Sequence, residues 1–341
     1  LLCLIPSAGM LFAPETKPAG NERLAPIPKL LTEENAFNPA VLDEVTNYAA
    51  DHFALRQQMV TLNAALYTRL FATSPAQDVI WGSDGWLYYA KTLPDYQNSA
   101  TLSEEQARQV AQTVADMQAY CEGKGAKFLF TIAPNKNSLY PEYMPERYLQ
   151  SGEKGNYERV EPYLRELSVN YADLFTFFSA QEEILYLKTD SHWSNRGAAL
   201  VHDFLMQKLG QPHTGFAGMP YETAESHRGD LYEMLYPAGT ASEAQQKYAF
   251  SFKHVTPPRS PEDILIRTTS EKGTGRLLFC RDSFGNALYP FLAEDFAEAT
   301  VTRAMPYPLE QVQQGDVVIV EIVERNLGNL LKYPPALHGT K

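Results

Sequence analysis

Two near-continuous apolar runs, Lys127 to Ala133 and Val317 to Val323, restrict what this chain can fold into more than anything else in its 341 residues. A strand with one wet face alternates apolar and polar residues. An almost unbroken run marks a strand covered on both faces, the signature of a parallel sheet. Ile184 to Lys188, Leu277 to Cys280 and Ala299 to Arg303 read as further strands. Helical patterns lie between them. Ser103, with Gln106 three residues on, is an N-cap signal for a helix whose buried face carries Val110, Val114, Met117 and Cys121 and which Gly123 ends. Ser194 caps a second helix with Val201, Leu205 and Leu209 on one face, ending at Gly210. Strands alternating with helices predict an α/β protein: a doubly wound, mainly parallel sheet with helices on both faces and a site at the carboxyl ends of the strands.

The chain is 44% hydrophobic, ample for a packed core, and its length fits one large domain or two smaller ones at roughly 100–200 residues each. Leu1 to Pro14 carry no charge and read as the remnant of a signal or membrane anchor, although 14 residues fall short of the ~20 that span a bilayer. An apolar arm packed on the domain is the alternative. Residues 15–35 read as a linker and 36–341 as a single domain. Residues 36–100 form its N-terminal extension, with helical spacing from Pro39 to about Leu70 and a hairpin around Ser83-Asp84-Gly85. Residues 211–270 have little periodicity.

The chemistry concentrates in two segments, Thr189-Asp190-Ser191-His192-Trp193 and Cys280-Arg281-Asp282-Ser283-Phe284-Gly285. In the first, a carboxylate two residues before an imidazole can hold one ring nitrogen and leave the other free. In the second, an apolar strand stops at Arg281 and sets Ser283 on the turn before a helix, where a hydroxyl backed by helix amides is placed to attack an acyl carbonyl. Asp190, His192 and Ser283 thus read as orienter, general base and nucleophile. The bland reading is an Asp–His bond fixing a turn, a Ser acting as a cap and Trp193 merely packing.

Other chemistries fit less well. A net charge of −12 without a Lys/Arg run argues against a nucleic-acid partner. His192, His202, His213, His227 and His254 match no metal-binding spacing, and no metal or other cofactor is expected. His202 is expected on the wet face of its helix. His227-Arg228-Gly229-Asp230 either lines the cleft or forms a solvated turn. Cys3, Cys121 and Cys280 suggest neither disulfide framework nor zinc site, and Cys280 reads as a buried thiol.

At these residues the chain resembles the SGNH-hydrolase-like domain of the AlgJ/AlgX and DHHW families of polysaccharide O-acetylation proteins. Trp81-Gly82-Ser83-Asp84-Gly85-Trp86-Leu87-Tyr88 is similar to their G-x-D/N-G-W-L-F segment, and Pro134 to Glu142 to their P-x-K-x-x-x-Y-P-E loop. Thr189 to Trp193 resembles their T-D-x-H-W motif, Arg281 to Phe284 their nucleophile turn, and Asp316 to Arg325 their closing strand with its Glu-Arg pair. The resemblance implies an O-acetyltransferase or O-acetylesterase with an acetylated Ser283, acting on hydroxyls of an exported or surface polysaccharide. It brings in Asn286, Lys136, Tyr140, Arg325 and Trp193 as oxyanion or substrate candidates. By analogy with AlgJ it implies an extracytoplasmic, membrane-held domain, without the carbohydrate-binding module of AlgX, working with a membrane-bound acyltransferase that supplies acetyl groups. The competing readings are a catalytically silent scaffold or glycan-binding subunit and a hydrolase of lipid or peptide esters.

Overall fold

The computed structural model describes residues 24–260 and 262–337. The uncharged run 1–14, Cys3 and the first part of the expected linker lie outside the described residues.

Among the described residues, helices α1 (Val41–His52) and α2 (Arg56–Phe71) come first, followed by the hairpin β1 (Val79–Trp81) and β2 (Leu87–Tyr89), whose turn puts Asp84 and Gly85 at positive φ. Helix α3 (Glu104–Gly123) starts at the expected capping box: the Ser103 hydroxyl accepts the Gln106 amide at 3.1 Å and the Gln106 side chain accepts the Ser103 amide at 2.9 Å. Then follow β3 (Lys127–Ala133), α4 (Asn156–Glu166), β4 (Tyr171–Ala172), α5 (Asn195–Leu209), β5 (Glu222–His227), α6 (Asp230–Leu235), β6 (Glu243–Lys247), β7 (Lys253–His254), β8 (Leu265–Thr269), β9 (Arg276–Cys280), α7 (Gly285–Asp295), β10 (Glu298–Thr302) and β11 (Val317–Val323).

The main sheet has the order β4-β3-β11-β9-β10-β8-β7. It is parallel from β4 to β10 and antiparallel at the β8 and β7 edge. Strand β11 is buried along its whole length and shows why its run had to be apolar throughout. Val317, Ile319 and Val323 join the core under α5 and α7, while Val318, Val320 and Ile322 join the core under α3 and α4. The sheet is therefore covered on both faces.

The chain leaves β3 through α4 toward β4 and leaves β9 through α7 toward β10, in opposite directions and over opposite faces. A crevice opens at such a reversal beyond the strand carboxyl ends. Here the loops after β3, β11 and β9, three adjacent strands, bring Lys136, Arg325 and Ser283 to that end of the sheet.

Two expectations are corrected. Ile184 to Lys188 forms no strand; Tyr186 makes a single bridge with Trp193, and the carbonyls of Leu187 and Lys188 accept from the Lys136 ammonium instead of joining the main sheet. His202 is not on a wet face but fully buried, held by Asp203 at 2.9 Å and by Asp295 at 2.9 Å. The carboxylates on either side, invisible to a helical-wheel argument, make that burial tolerable. The stretch 211–270 holds a two-stranded sheet of β5 and β6, whose residues are partly exposed on both faces and so carry no apolar alternation.

Candidate active site

Strand β9 ends with Cys280 buried in the core, and the chain turns at once. Asp282 makes that turn: one carboxylate oxygen accepts the Phe284 amide at 3.0 Å and the other accepts the Val323 amide of the neighbouring strand at 2.7 Å. Its own amide donates to Glu321 at 3.1 Å. Burial, then the charge of Asp282, pushes the Glu321 carboxyl well above the usual range. The stem of Arg281 lies across the start of α7, and a Cβ on Gly285 would come within 2.5 Å of it, which only glycine avoids. Ser283 is left standing on the crevice floor.

The second loop is held from several sides. Lys136 Nζ donates to the carbonyls of Leu187, Lys188 and Asp190, each at 2.8 Å. Three acceptors require three N–H donors, which only the ammonium has. Burial pulls its pKa down to about 7 against the charges of Asp190, Glu243 and Asp230. Glu243 accepts the amides of Lys188 and Thr189 at 2.8 and 3.0 Å. Gly229 passes so close that a Cβ would fall 2.2 Å from the Thr189 carbonyl oxygen.

These supports bring the three predicted residues together. His192 Nε2 lies 2.8 Å from Ser283 Oγ, and its Nδ1 lies 2.7 Å from Asp190 Oδ1, which also accepts the His192 amide at 3.0 Å. Donation from Nδ1 to Asp190 leaves Nε2 as an acceptor facing the serine hydroxyl. The second oxygen of Asp190 is taken by His227 Nε2 at 2.9 Å and the Asp230 amide at 3.1 Å. Burial would raise the Asp190 carboxyl, but hydrogen bonds from His192 and His227 and their charge hold it well below the usual range. Conversely, burial lowers both imidazoles, and the bond to Asp190 and its charge outweigh it, leaving His192 and His227 above 6.5. Asp230 is pushed up by burial and then by the charge of Asp190, and accepts the Ser191 amide at 2.7 Å.

A cavity of about 650 Å³ opens over Ser283, walled by Tyr89, Arg228, Glu233, Met234, Glu262, Arg303 and Arg325. Among the described residues, Asp190, His192 and Asp230 alone offer donor atoms close enough together for a metal, within 4.8 Å. Those atoms already bond to one another, to Ser191 and to Ser283.

The remaining candidates divide. Asn286 and Arg325 line the cavity. The Asn286 side chain is engaged by Arg281 and Glu262, and the Arg325 guanidinium donates to Asn135 at 3.1 Å and lies 5.8 Å from the Phe284 ring centre. Lys136 and Tyr140 do not line this cavity, and Trp193 reaches its wall from the core. Lys136 is buried under the Asp190 loop. Tyr140 lies outside the cavity wall and receives the Leu185 amide at 3.2 Å. The Trp193 ring is 1% exposed and packs edge-on to Phe284 at 4.9 Å, so it supports the site from the core. Sequence reasoning left His227 and Asp230 undecided and gave Asp282, Glu243 and Arg303 no role of their own. For the first pair the signal was His and Asp flanking a glycine; for the others a lone charge carries none.

A family model described as the SGNH hydrolase-like domain of the acetyltransferase AlgX matches residues 79–274, more than half of the chain. The chain belongs to that family. The matched residues take in Asp190, His192 and His227, and Ser283 follows them in sequence. The SGNH hydrolase-like chain is 28% identical over 193 residues to a probable alginate O-acetylase AlgJ of Pseudomonas syringae pv. tomato, covering 54% of this chain and 48% of that protein. A probable alginate O-acetylase AlgJ of Pseudomonas fluorescens is 23% identical over 244 residues, 69% of this chain and 58% of that one. The chain thus spans about half the length of the curated relatives it matches. Bacillus cereus PatB1 shares the SGNH hydrolase-like fold at a TM-score of 0.55 and 17% identity, over 76% of this chain and 98% of that one. A DHHW family protein from Eubacterium siraeum does so at 0.54 and 15%, over 76% and 95%.

Proposed function

We propose that this protein is an O-acetyltransferase or O-acetylesterase for hydroxyls of an exported or surface polysaccharide, working through Ser283, His192 and Asp190. The observation that carries this reading is the unbroken chain of contacts from Asp190 Oδ1 through His192 to Ser283 Oγ, at 2.7 and 2.8 Å, on the floor of an open cavity. The kinship to alginate O-acetylases supports acetyl as the group and a sugar hydroxyl as the acceptor.

In this reading neutral His192 Nε2 takes the Ser283 proton as Oγ bonds to the acetyl carbonyl carbon, and a tetrahedral oxyanion forms. The leaving oxygen departs with the proton from Nε2, giving acetyl-Ser283. A sugar hydroxyl, or water, then gives its proton to Nε2, attacks the acetyl carbon and releases the Ser283 oxygen, which recovers the proton. Asp190 keeps the imidazole in the right tautomer and stabilises its charged form. The Ser283 amide, just before α7, and the Arg325 guanidinium, which lines the cavity, are assigned to stabilising the oxyanion. The domain is proposed to stand outside the cytoplasmic membrane, with a membrane-bound acyltransferase delivering the acetyl group.

The test is to mix the protein with an activated acetyl ester and map the added acetyl by mass spectrometry. Acetylation of the peptide carrying Ser283, lost in Ser283→Ala and unaffected by a chelator, supports the reading. No covalent adduct and equal turnover by Ser283→Ala would favour the scaffold or glycan-binding alternative, and loss on chelation would favour metal chemistry.

A further inference from the structure

Helix α2 is built inside out. Its buried side chains are the small Ala64 and Thr68, at 1% and 8% exposure, and its large apolar ones face outward: Met59 50%, Leu62 62%, Leu66 50% and Leu70 69%. These four, with Leu55 at its N-cap, fall on one face at spacings of three and four residues. Exposed apolar residues also concentrate along the sequence here: thirteen of the twenty-one exposed large apolar residues described lie between Ile27 and Phe71. Scattered exposed leucines need no explanation, but a stripe of them along one helix marks a surface that something covers.

Three observations identify the cover. First, His52 to Gln77 is the longest stretch of the chain without an acid, in a protein of net charge −12, and its charges are Arg56 and Arg69. Arg56 is paired with Asp51 at 3.6 Å, while Arg69 stands on the exposed side. Second, the segment that leads into α1 is tied to the helix next to α2 in sequence: the Ala25 amide donates to Asp51 and the Lys29 amide to Glu44, both on α1. The uncharged run Leu1 to Pro14 precedes that point in sequence. Third, the inner side of α2 is fastened to the cavity wall. Thr68 Oγ1 lies 2.9 Å from Tyr236 Oη and Thr61 Oγ1 accepts the Ala238 amide at 2.9 Å, directly after α6, the helix that supplies Asp230, Glu233 and Met234 to the cavity.

From these we infer that α2 is an interfacial helix that seats the domain on an anionic lipid surface, its apolar stripe in the headgroup boundary and its small-residue side on the catalytic body. The inference rests on the proposal that the domain works at a membrane, and adds the residues that touch it. It does not depend on the chemistry of Ser283. Seated in this way, α2 and α6 separate the cavity from the bilayer by two helices, within reach of a membrane-embedded donor.

The experiment uses the full chain with vesicles of mixed phosphatidylglycerol and phosphatidylcholine. A Leu66→Trp reporter should be quenched by brominated acyl chains, a readout specific to α2 and blind to insertion of residues 1–14. Leu62→Glu combined with Leu66→Glu should weaken vesicle partitioning at least ~100-fold, as expected from two leucines withheld from an apolar phase, with hydrolysis of a soluble acetyl ester unchanged. An unquenched reporter, equal partitioning of wild type and double variant, or equal binding to pure phosphatidylcholine overturns the inference. So does a wild-type dimer that the double variant converts to monomer without any lipid effect, which would give the face to a second copy. Failure of ester hydrolysis in every variant with quenching retained would instead refute the Ser283 reading and leave this one standing.

Discussion

His227 donates from Nε2 to the Asp190 oxygen that His192 leaves free, at 2.9 Å, so that one buried carboxylate is gripped by two imidazoles. Removing the outer imidazole with His227→Ala takes one charge-assisted bond, worth about 1.5–3 kcal/mol, from Asp190. Turnover should fall about 10- to 100-fold with KM nearly constant, because the effect reaches substrate only through Asp190 and His192. Steady-state kinetics on a soluble acetyl ester separate the two parameters. A raised KM at unchanged turnover would mean that His227 contacts the substrate instead.

The pH profile follows from the same geometry. Only neutral His192 has a lone pair on Nε2 for the Ser283 proton, and the Asp190 bond and charge set its folded pKa above 6.5 despite burial. Activity should therefore rise with pH through a midpoint above 6.5, higher than an unperturbed histidine would give. In Asp190→Asn the midpoint should move down and turnover should drop by as much as ~10⁴. Measuring kcat/KM from about pH 5 to about pH 9 decides it, and a flat profile would remove His192 from the reaction.

Ser283 and His192 should behave as one unit. Ser283→Ala and His192→Ala should each lower turnover by at least ~10³, and the double variant should lose little more. Single-turnover measurements on all three proteins test this, and losses that multiply would show that the two residues act independently.

Stability should carry the signature of His202. Its imidazole is buried between Asp203 and Asp295 and, burial notwithstanding, those carboxylates raise its pKa above 6.5. A raised folded pKa means that its contribution is complete below the unfolded value and is lost as pH rises through the folded one. The urea midpoint should therefore decline above about pH 6.5 in the wild type, and more gently in His202→Gln. A slope unaffected by that change would contradict the assignment.

Much of this architecture was legible because burial on both sheet faces writes itself into residue type. Lys127–Ala133 and Val317–Val323 read as strands from their apolar content and are the strands β3 and β11. The caps at Ser103 and Ser194 were local and equally readable. Ile184–Lys188 misled because an apolar segment can be buried by a loop whose carbonyls bond to a lysine as well as by a ladder. In the site, the approach of Ser283 and His192 across 91 residues followed from the motifs, since strand ends and turns announce exposed functional groups. His227 and Asp282 stayed hidden because what they do depends on which carboxylate or amide the fold brings beside them.

Lys136 grips this site through main-chain oxygens, and a carbonyl oxygen is the same whatever side chain accompanies it. Through that contact Leu187 and Lys188 owe nothing to their own identities, and Lys188, exposed, is free to drift. The whole demand falls on position 136, where even arginine would fail: a planar fork cannot point three N–H groups at three converging oxygens as an ammonium does. Mutational tolerance across this contact should be one-sided, with a fixed lysine facing main-chain oxygens at Leu187 and Lys188 whose side chains it does not read.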